Sequence, residues 1–357
     1  MLILGIESSC DETSAAVVED GRTIHSLVIA SQTELHARYH GVVPEVASRA
    51  HVEQIMPVVR EALEQAQIEP KVASGAPDSA GPPHPRRLAG VAVTNRPGLS
   101  GSLAVGLTFA KMFAYAQQLP FVAVDHMHAH AYAPHLATGG AQLRYPYLVL
   151  LVSGGHTMIA VSRGYSELEV LGTTIDDACG EAYDKISVFL GEGYPGGPII
   201  DRLAAAGDPR SARFPQPKLN RANNRYDMSF SGLKTAVVHQ LDRFWQEGYP
   251  RTRENVAAAF QDAAVSMLIT RVQNAVRDTG IYRVAAGGGV AANSELRRRL
   301  EHLTVDGKAV ESVLPPLELC MDNGAMVAGL GYHALAAGVR SDWTTGVSAR
   351  VAAFRAQ

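Results

Sequence analysis

The chain is poor in cysteine: its 357 residues carry only Cys10, Cys179 and Cys320. The number is odd and no two form a Cys-x-x-Cys pair, which argues against a disulfide framework and for reduced thiols in a cytoplasmic protein. No cysteine stands out as a zinc ligand or nucleophile. The apolar opening at residues 1–5 is short, has no basic flank and soon meets Glu7, so it reads as a first strand, not a secretory signal or a membrane span. Charge of one sign is also missing. A formal net charge of −3 gives no global attraction to nucleic acid, so any such contact must come from a local patch. Arg297-Arg298-Arg299 and the run of Arg210, Arg213, Lys218, Arg221 and Arg225 are candidates, although charge runs are usually solvated faces.

Three catalytic signatures are lacking. His126-Met127-His128-Ala129-His130 has Met127 where a zinc protease needs the glutamate of His-Glu-x-x-His, so a metalloprotease is disfavoured. The Gly/Ser turn at 95–102 has no P-loop lysine, although its backbone can still receive an anion. Gly287-Gly288-Gly289 lacks the G-x-G-x-x-G spacing of a dinucleotide site and suits an adenosine better, the alternative being a plain tight turn.

What is present is an ordinary folded composition, 46% hydrophobic and 19% charged, on a chain long enough for two lobes. Its chemical centre is the stretch 125–132. On a helix, residues four apart share a face, so His126 and His130 can aim at one ion while His128 points elsewhere. Asp322 in Cys320-Met321-Asp322-Asn323-Gly324-Ala325 is a candidate third ligand, and His-His-carboxylate with open positions accepts iron or zinc. The alternative is a structural histidine pair.

Residues 2–21 read as a buried strand, a small polar turn and a second strand. In that turn Asp11 and Glu12 could hold a cation, take a proton, or merely cap a hairpin. Residues 36–66 have helical spacing broken by Gly41, Pro44 and Pro57, and 71–87 is a low-complexity surface insertion. A strand at 88–94 leads to a helix at 103–119, and a strand at 121–124 delivers the histidine segment. Residues 147–161 then repeat the opening theme, so the chain looks duplicated, with the phosphates of a nucleotide expected between the twin hairpins. Asp184 and Asp201 flank the Gly-rich turn at 194–198, an arrangement suited to gripping hydroxyl groups, although acids on helices are mostly solvated. A long helix at 256–276 precedes the glycine turn, with Asn293 beside it and a helix from Ser294.

Taken together, these stretches resemble the tRNA N6-adenosine threonylcarbamoyltransferase family, called TsaD in bacteria. The resemblance rests on Gly5-Ile6-Glu7-Ser8-Ser9-Cys10-Asp11-Glu12-Thr13, the histidine stretch, Leu151-Val152-Ser153-Gly154-Gly155-His156-Thr157, the run from Asp177 to Lys185, Tyr194-Pro195-Gly196-Gly197-Pro198, Ser229-Phe230-Ser231-Gly232-Leu233-Lys234, Gly288-Gly289-Val290 with Asn293, and Asp322-Asn323-Gly324-Ala325. It implies an actin-like and Hsp70-like (ASKHA) α/β fold of two related lobes around a nucleotide-binding cleft, an N-terminal lobe of 1–132 plus 323–357 and a C-terminal lobe of 133–322. It implies transfer of a threonylcarbamoyl group from threonylcarbamoyl-AMP to N6 of adenosine 37 in tRNAs reading ANN codons.

By the same resemblance His126, His130 and Asp322 hold one divalent metal per subunit, iron or alternatively zinc. Leu151, Val152, Ser153, Gly154, Gly155, His156, Asp184, Gly197, Asp201 and Asn293 contact substrate, and Asp11 or Glu12 accepts the proton. Partners implied are tRNA, a paralogous protein TsaB and a small ATPase TsaE, with no membrane. Two departures stand out: Arg96 replaces the family's usual glycine before Pro97-Gly98-Leu99, and the insertion at 71–87 is longer than expected. The rival readings are a sugar kinase or ATPase of the same superfamily, which the histidine pair and Asp322 disfavour, and a non-enzymatic nucleotide-binding scaffold.

Overall fold

Every residue of strand β1 (Leu2–Glu7) is buried, as a strand covered on both faces must be. The computed structural model of the chain describes residues 1–69, 86–136, 143–215 and 225–350. Of the expected insertion only Arg86 and Arg87 are among these; 71–85 lie outside the described residues, as do Lys218 and Arg221. The fold divides into two units, the first Met1–Glu34, Val42–Thr138 and Asp322–Ala353, the second chiefly Gly139–Met321.

In the first unit β1 pairs antiparallel with β2 (Glu12–Glu19), and β2 pairs with β3 (Thr23–Ser31). On its other side β1 runs parallel to β4 (Leu88–Arg96), which pairs with β5 (Phe121–Asp125). Helix α1 (Thr33–Ala37) follows β3. Helix α2 (Pro44–Gln65) starts at Pro44, where a missing N–H costs nothing, and keeps Pro57 inside its span. With α3 (Ser100–Gln117) it covers a core that includes Leu4, Ile6, Val17, Val59, Val91 and Leu107. After α4 (His126–Tyr132) the chain passes to the second unit.

There β6 (Tyr147–Val152), β7 (Thr157–Gly164) and β8 (Glu167–Thr173) form an antiparallel meander. Helices α5 (Cys179–Phe189), α6 (Gly196–Ala204), α7 (Ser231–Phe244) and α8 (Arg253–Thr279) follow. Strand β9 (Arg283–Gly287) lies parallel to β6, and α9 (Ser294–Glu301) comes next. A small hairpin of β10 (Thr304–Val305) and β11 (Lys308–Ala309) then leads to β12 (Glu311–Val313), parallel to β9. The two sheets, ordered β3-β2-β1-β4-β5 and β8-β7-β6-β9-β12, share one topology: a meander on one side of the lead strand and parallel strands on the other. The duplication expected from the hairpins is therefore real, and the fold is of the actin-like class.

Helix α10 (Gly324–Ala336) returns to the first unit and lies on β1. The approach is backbone to backbone: a Cβ on Gly5 would sit 2.1 Å from the carbonyl oxygen of Gly324 and 2.4 Å from the amide nitrogen of Ala328. Gly5→Ala is therefore expected to lower unfolding free energy by about 1–3 kcal/mol, read as a lower denaturant midpoint at unchanged m-value.

Against α10, the Tyr132 hydroxyl donates to the Gly21 carbonyl (2.7 Å) and lies 2.9 Å from His333 Nε2, while His135 stacks on the Tyr132 ring. Burial, with the charge of Arg22, pulls both His135 and His333 down to about 4. Their folded pKa lies below the ordinary value, so the unfolded chain takes up protons first. Their contribution to stability is complete above about pH 6.5 and is lost as the pH falls toward 4. Denaturation midpoints should drop across that window, and His333→Gln, which can still bond Tyr132, should flatten the drop.

Candidate metal centre and substrate turns

Strand β5 ends in Asp125, whose carboxylate caps α4 by accepting from the amides of Met127 (2.9 Å) and His128 (3.4 Å). Burial opposes the charge, but His128 and these amides hold the Asp125 carboxyl below its ordinary range. Arg96, the departure noted above, places its Nε 3.4 Å from the same carboxylate, and His128 Nδ1 lies 3.4 Å away. The cap fixes the direction of a helix on which Met127 is core and His126 and His130 share a face, their ring centroids 4.5 Å apart.

Asp322 reaches this face from the start of α10. That start is pinned by Asn323, which accepts from the Met326 amide (2.9 Å), and by the Gly324 amide, which donates to Ser14 Oγ (2.9 Å). Asp322 Oδ1 lies 2.9 Å from His130 Nε2 and 3.5 Å from His126 Nε2. One ligand atom from each of the three residues falls within 4.8 Å of the others.

A divalent cation fits this donor set. His126 Nδ1 lies 3.0 Å from Glu7 Oε2, and a carboxylate only accepts, so Nδ1 carries a hydrogen and Nε2 is the ring atom that faces Asp322. Between that nitrogen and the carboxylate there is a place for a proton or a metal ion. Burial disfavours a charged imidazole, yet Asp322 and Glu7 outweigh it and lift the His126 pKa to about 9. Where a proton is held so strongly, a metal ion can take its place.

The acid turn lies in the same unit. Asp11 and Glu12 are 9% and 6% exposed. Burial, reinforced by the charges of Asp322 and Asp11, pushes Glu12 well above the ordinary carboxylate range. Burial and the same acids raise the Cys10 thiol, which removes it as a nucleophile. His51 steadies the turn, its Nε2 3.0 Å from the Cys10 carbonyl oxygen and its Nδ1 2.7 Å from Thr13 Oγ1.

In the second unit Leu151 and Val152 end β6 as buried residues, and Ser153–His156 form a closed turn. The Ser153 amide donates to the His156 carbonyl (2.8 Å), and the His156 amide donates to Ser153 Oγ (3.1 Å). A Cβ on Gly154, Gly155 or Gly197 would meet nothing within 4 Å, so each leaves bare backbone open to a ligand. Gly180 packs against this turn: a Cβ there would come 2.7 Å from the Ser153 carbonyl oxygen.

Asp184 accepts from the Gly196 amide (2.7 Å) at the start of α6. Asp201 accepts from Gln261 (3.1 Å), Asn293 (3.1 Å), and both the hydroxyl (2.8 Å) and amide (3.1 Å) of Ser294. Asn293 also donates to Gln261 (2.8 Å) and caps α9 through Leu296 (2.9 Å). These side chains therefore hold the frame around the glycine turns with most of their polar atoms.

Four arginines of the basic runs pair with acids of the same unit. Arg298 and Arg299 bond Glu295, Arg299 bonds Asp262, Arg210 bonds Asp208, and Arg225 pairs with Asp278. Among the described residues no helix is long and apolar enough to cross a membrane. Glu7 escaped the sequence reading. Its one signal was a carboxylate closing an otherwise apolar strand.

The model of the TsaD family, tRNA N6-adenosine threonylcarbamoyltransferase, matches residues 23–329. The chain belongs to this family. A family member from Treponema denticola is 51% identical over 355 residues, covering 99% of this chain and 98% of the relative. Another, from Borrelia hermsii, is 44% identical over 332 residues, covering 93% of this chain and 91% of the relative. Both carry the family's name. Among solved structures, full-length HypF in its phosphate- and nucleotide-bound form aligns with a TM-score of 0.57 at 15% identity, over 96% of this chain and 47% of HypF. Component A of the (R)-2-hydroxyglutaryl-CoA dehydratase of Acidaminococcus fermentans aligns with a TM-score of 0.52 at 15% identity, over 94% of this chain and 99% of that one. These likenesses establish the fold alone.

Proposed function

We propose that this chain is a metal-dependent acyltransferase that moves a threonylcarbamoyl group from threonylcarbamoyl-AMP to N6 of adenosine 37 in tRNAs reading ANN codons. The observation that carries the reading is the convergence of His126, His130 and Asp322 on one point in a chain of this family. The N6–C bond forms, the bond from the carbamoyl carbon to the phosphate oxygen breaks, AMP leaves, and N6 loses a proton. Glu12, its pKa raised by burial and by the neighbouring Asp11, is suited to receive that proton. A bound iron or zinc ion, held by the three ligands, would supply Lewis-acid stabilisation of the charge developing on the transferred carbonyl or the leaving phosphate.

The open backbone at Gly154, Gly155 and Gly197 supports contact with the adenylate there, alongside Leu151, Val152, Ser153 and His156, with Asp184, Asp201 and Asn293 shaping the turns. The family also supports work in the cytoplasm with a paralogous TsaB and a small ATPase TsaE, in keeping with three free thiols. The test is to incubate the purified chain and these partners with threonylcarbamoyl-AMP and unmodified tRNA, then digest the tRNA for mass spectrometry. Threonylcarbamoyladenosine at position 37 is the expected product. Unchanged adenosine with the metal-loaded chain would refute the proposal.

A further inference from the structure

We infer that Glu7 is a positioning residue for the metal: it fixes the tautomer and ring direction of His126, and so sets how tightly the ion is held. The inference rests on the metal reading above and adds a residue from outside the ligand set. Glu7 is wholly buried, and its carboxylate is surrounded by donors. Oε1 accepts from the Ser9 amide (2.6 Å), while Oε2 accepts from Thr94 Oγ1 (2.6 Å) and faces His126 Nδ1 (3.0 Å). Ser9 Oγ also approaches Nδ1, at 3.2 Å.

Burial raises the energy of such a charge, so its place at the end of β1 calls for compensation. The Ser9 amide, the Thr94 hydroxyl and the His126 ring supply that compensation. The consequence falls on the far side of the ring. With hydrogen on Nδ1, Nε2 is committed as the free donor atom, 3.5 Å from Asp322 Oδ1 and on the side where His130 Nε2 also lies. His130 has no equivalent support, since its buried Nδ1 makes no hydrogen bond among the described residues. The alignment of the pair therefore depends on the Glu7 contact with His126. A carboxylate behind a metal-bound imidazole also makes the ring a stronger base, and loss of such a partner typically lowers metal affinity about ten- to a hundredfold.

The experiment compares zinc affinity of the full-length wild type and Glu7→Gln by competition with a chromophoric chelator. The glutamine keeps the volume but lacks the negative charge. Zinc binding should weaken about ten- to a hundredfold, with circular dichroism unchanged. Equal affinities would overturn the inference while leaving the metal reading intact, whereas a wild type that binds no zinc would remove both. If Glu7→Gln does not fold, 15N-histidine spectra of the zinc-loaded wild type decide, with His126 assigned by the signal lost in His126→Asn. A protonated Nδ1 and a coordinated Nε2 are expected; coordination through Nδ1 would overturn the inference.

Discussion

Asp322→Asn should leave the chain folded and strip it of metal, taking transfer with it. Asp322 is the one anionic member of the donor set, and its Oδ1 is the atom both imidazoles face, at 2.9 Å and 3.5 Å. Without it a divalent ion meets two neutral nitrogens and loses the charge that compensates its dehydration. Other groups tie this end of the helix to the fold: Asn323 caps α10, and the Gly324 amide bonds Ser14 of β2. Metal content measured by mass spectrometry after dialysis should fall from about one per chain to near zero. Transfer should fall on the order of 10³-fold, the equivalent of about 4 kcal/mol of transition-state stabilisation. A variant that keeps its ion, or one that transfers normally without it, would show that the three residues are a structural knot.

Glu12→Gln should slow transfer while sparing the metal. The residue lies next to Asp11 at the start of β2, nearly buried, in a field of carboxylates that pushes its pKa well up. A carboxylate with a raised pKa is a better proton acceptor near neutral pH, and positioned general bases contribute about 10²–10⁴-fold. Single-turnover transfer from purified threonylcarbamoyl-AMP should lose a factor in that range with metal content unchanged. Asp11→Asn, which removes a neighbouring charge and a hydrogen-bonding partner, should cost less. A larger loss for Asp11→Asn would reverse the assignment of the base.

Much of this was legible in the residues because the strongest signals are local. Helical spacing put His126 and His130 on one face, and the repeated strand–turn–strand theme marked the lead strands β1 and β6 of two sheets with one topology. The third strand of each meander, β3 and β8, was not foreseen. Both are edge strands with mixed burial, so neither has the continuous apolar run that marks a covered strand. The expected helix at 36–66 proved to be two, α1 and α2, because Pro44 opens a new helix in place of continuing one.

Partnership is the other kind of information that spacing does not carry. Glu7 and His126 are 119 residues apart in sequence and meet only through the sheet. Asp262, which pairs with Arg299, lies 37 residues from it in sequence. Arg96, which read as an anomaly in a glycine position, lies beside Asp125, the residue that caps the helix carrying His126 and His130.

Anomalous diffraction from crystals of the metal-loaded chain, collected on either side of the iron and zinc edges, decides whether two imidazoles and one carboxylate share a single divalent ion. One peak is expected, about 2.0–2.2 Å from His126 Nε2, His130 Nε2 and an Asp322 oxygen. A transfer-competent crystal with no peak there, or with its metal bound elsewhere, would show that they do not.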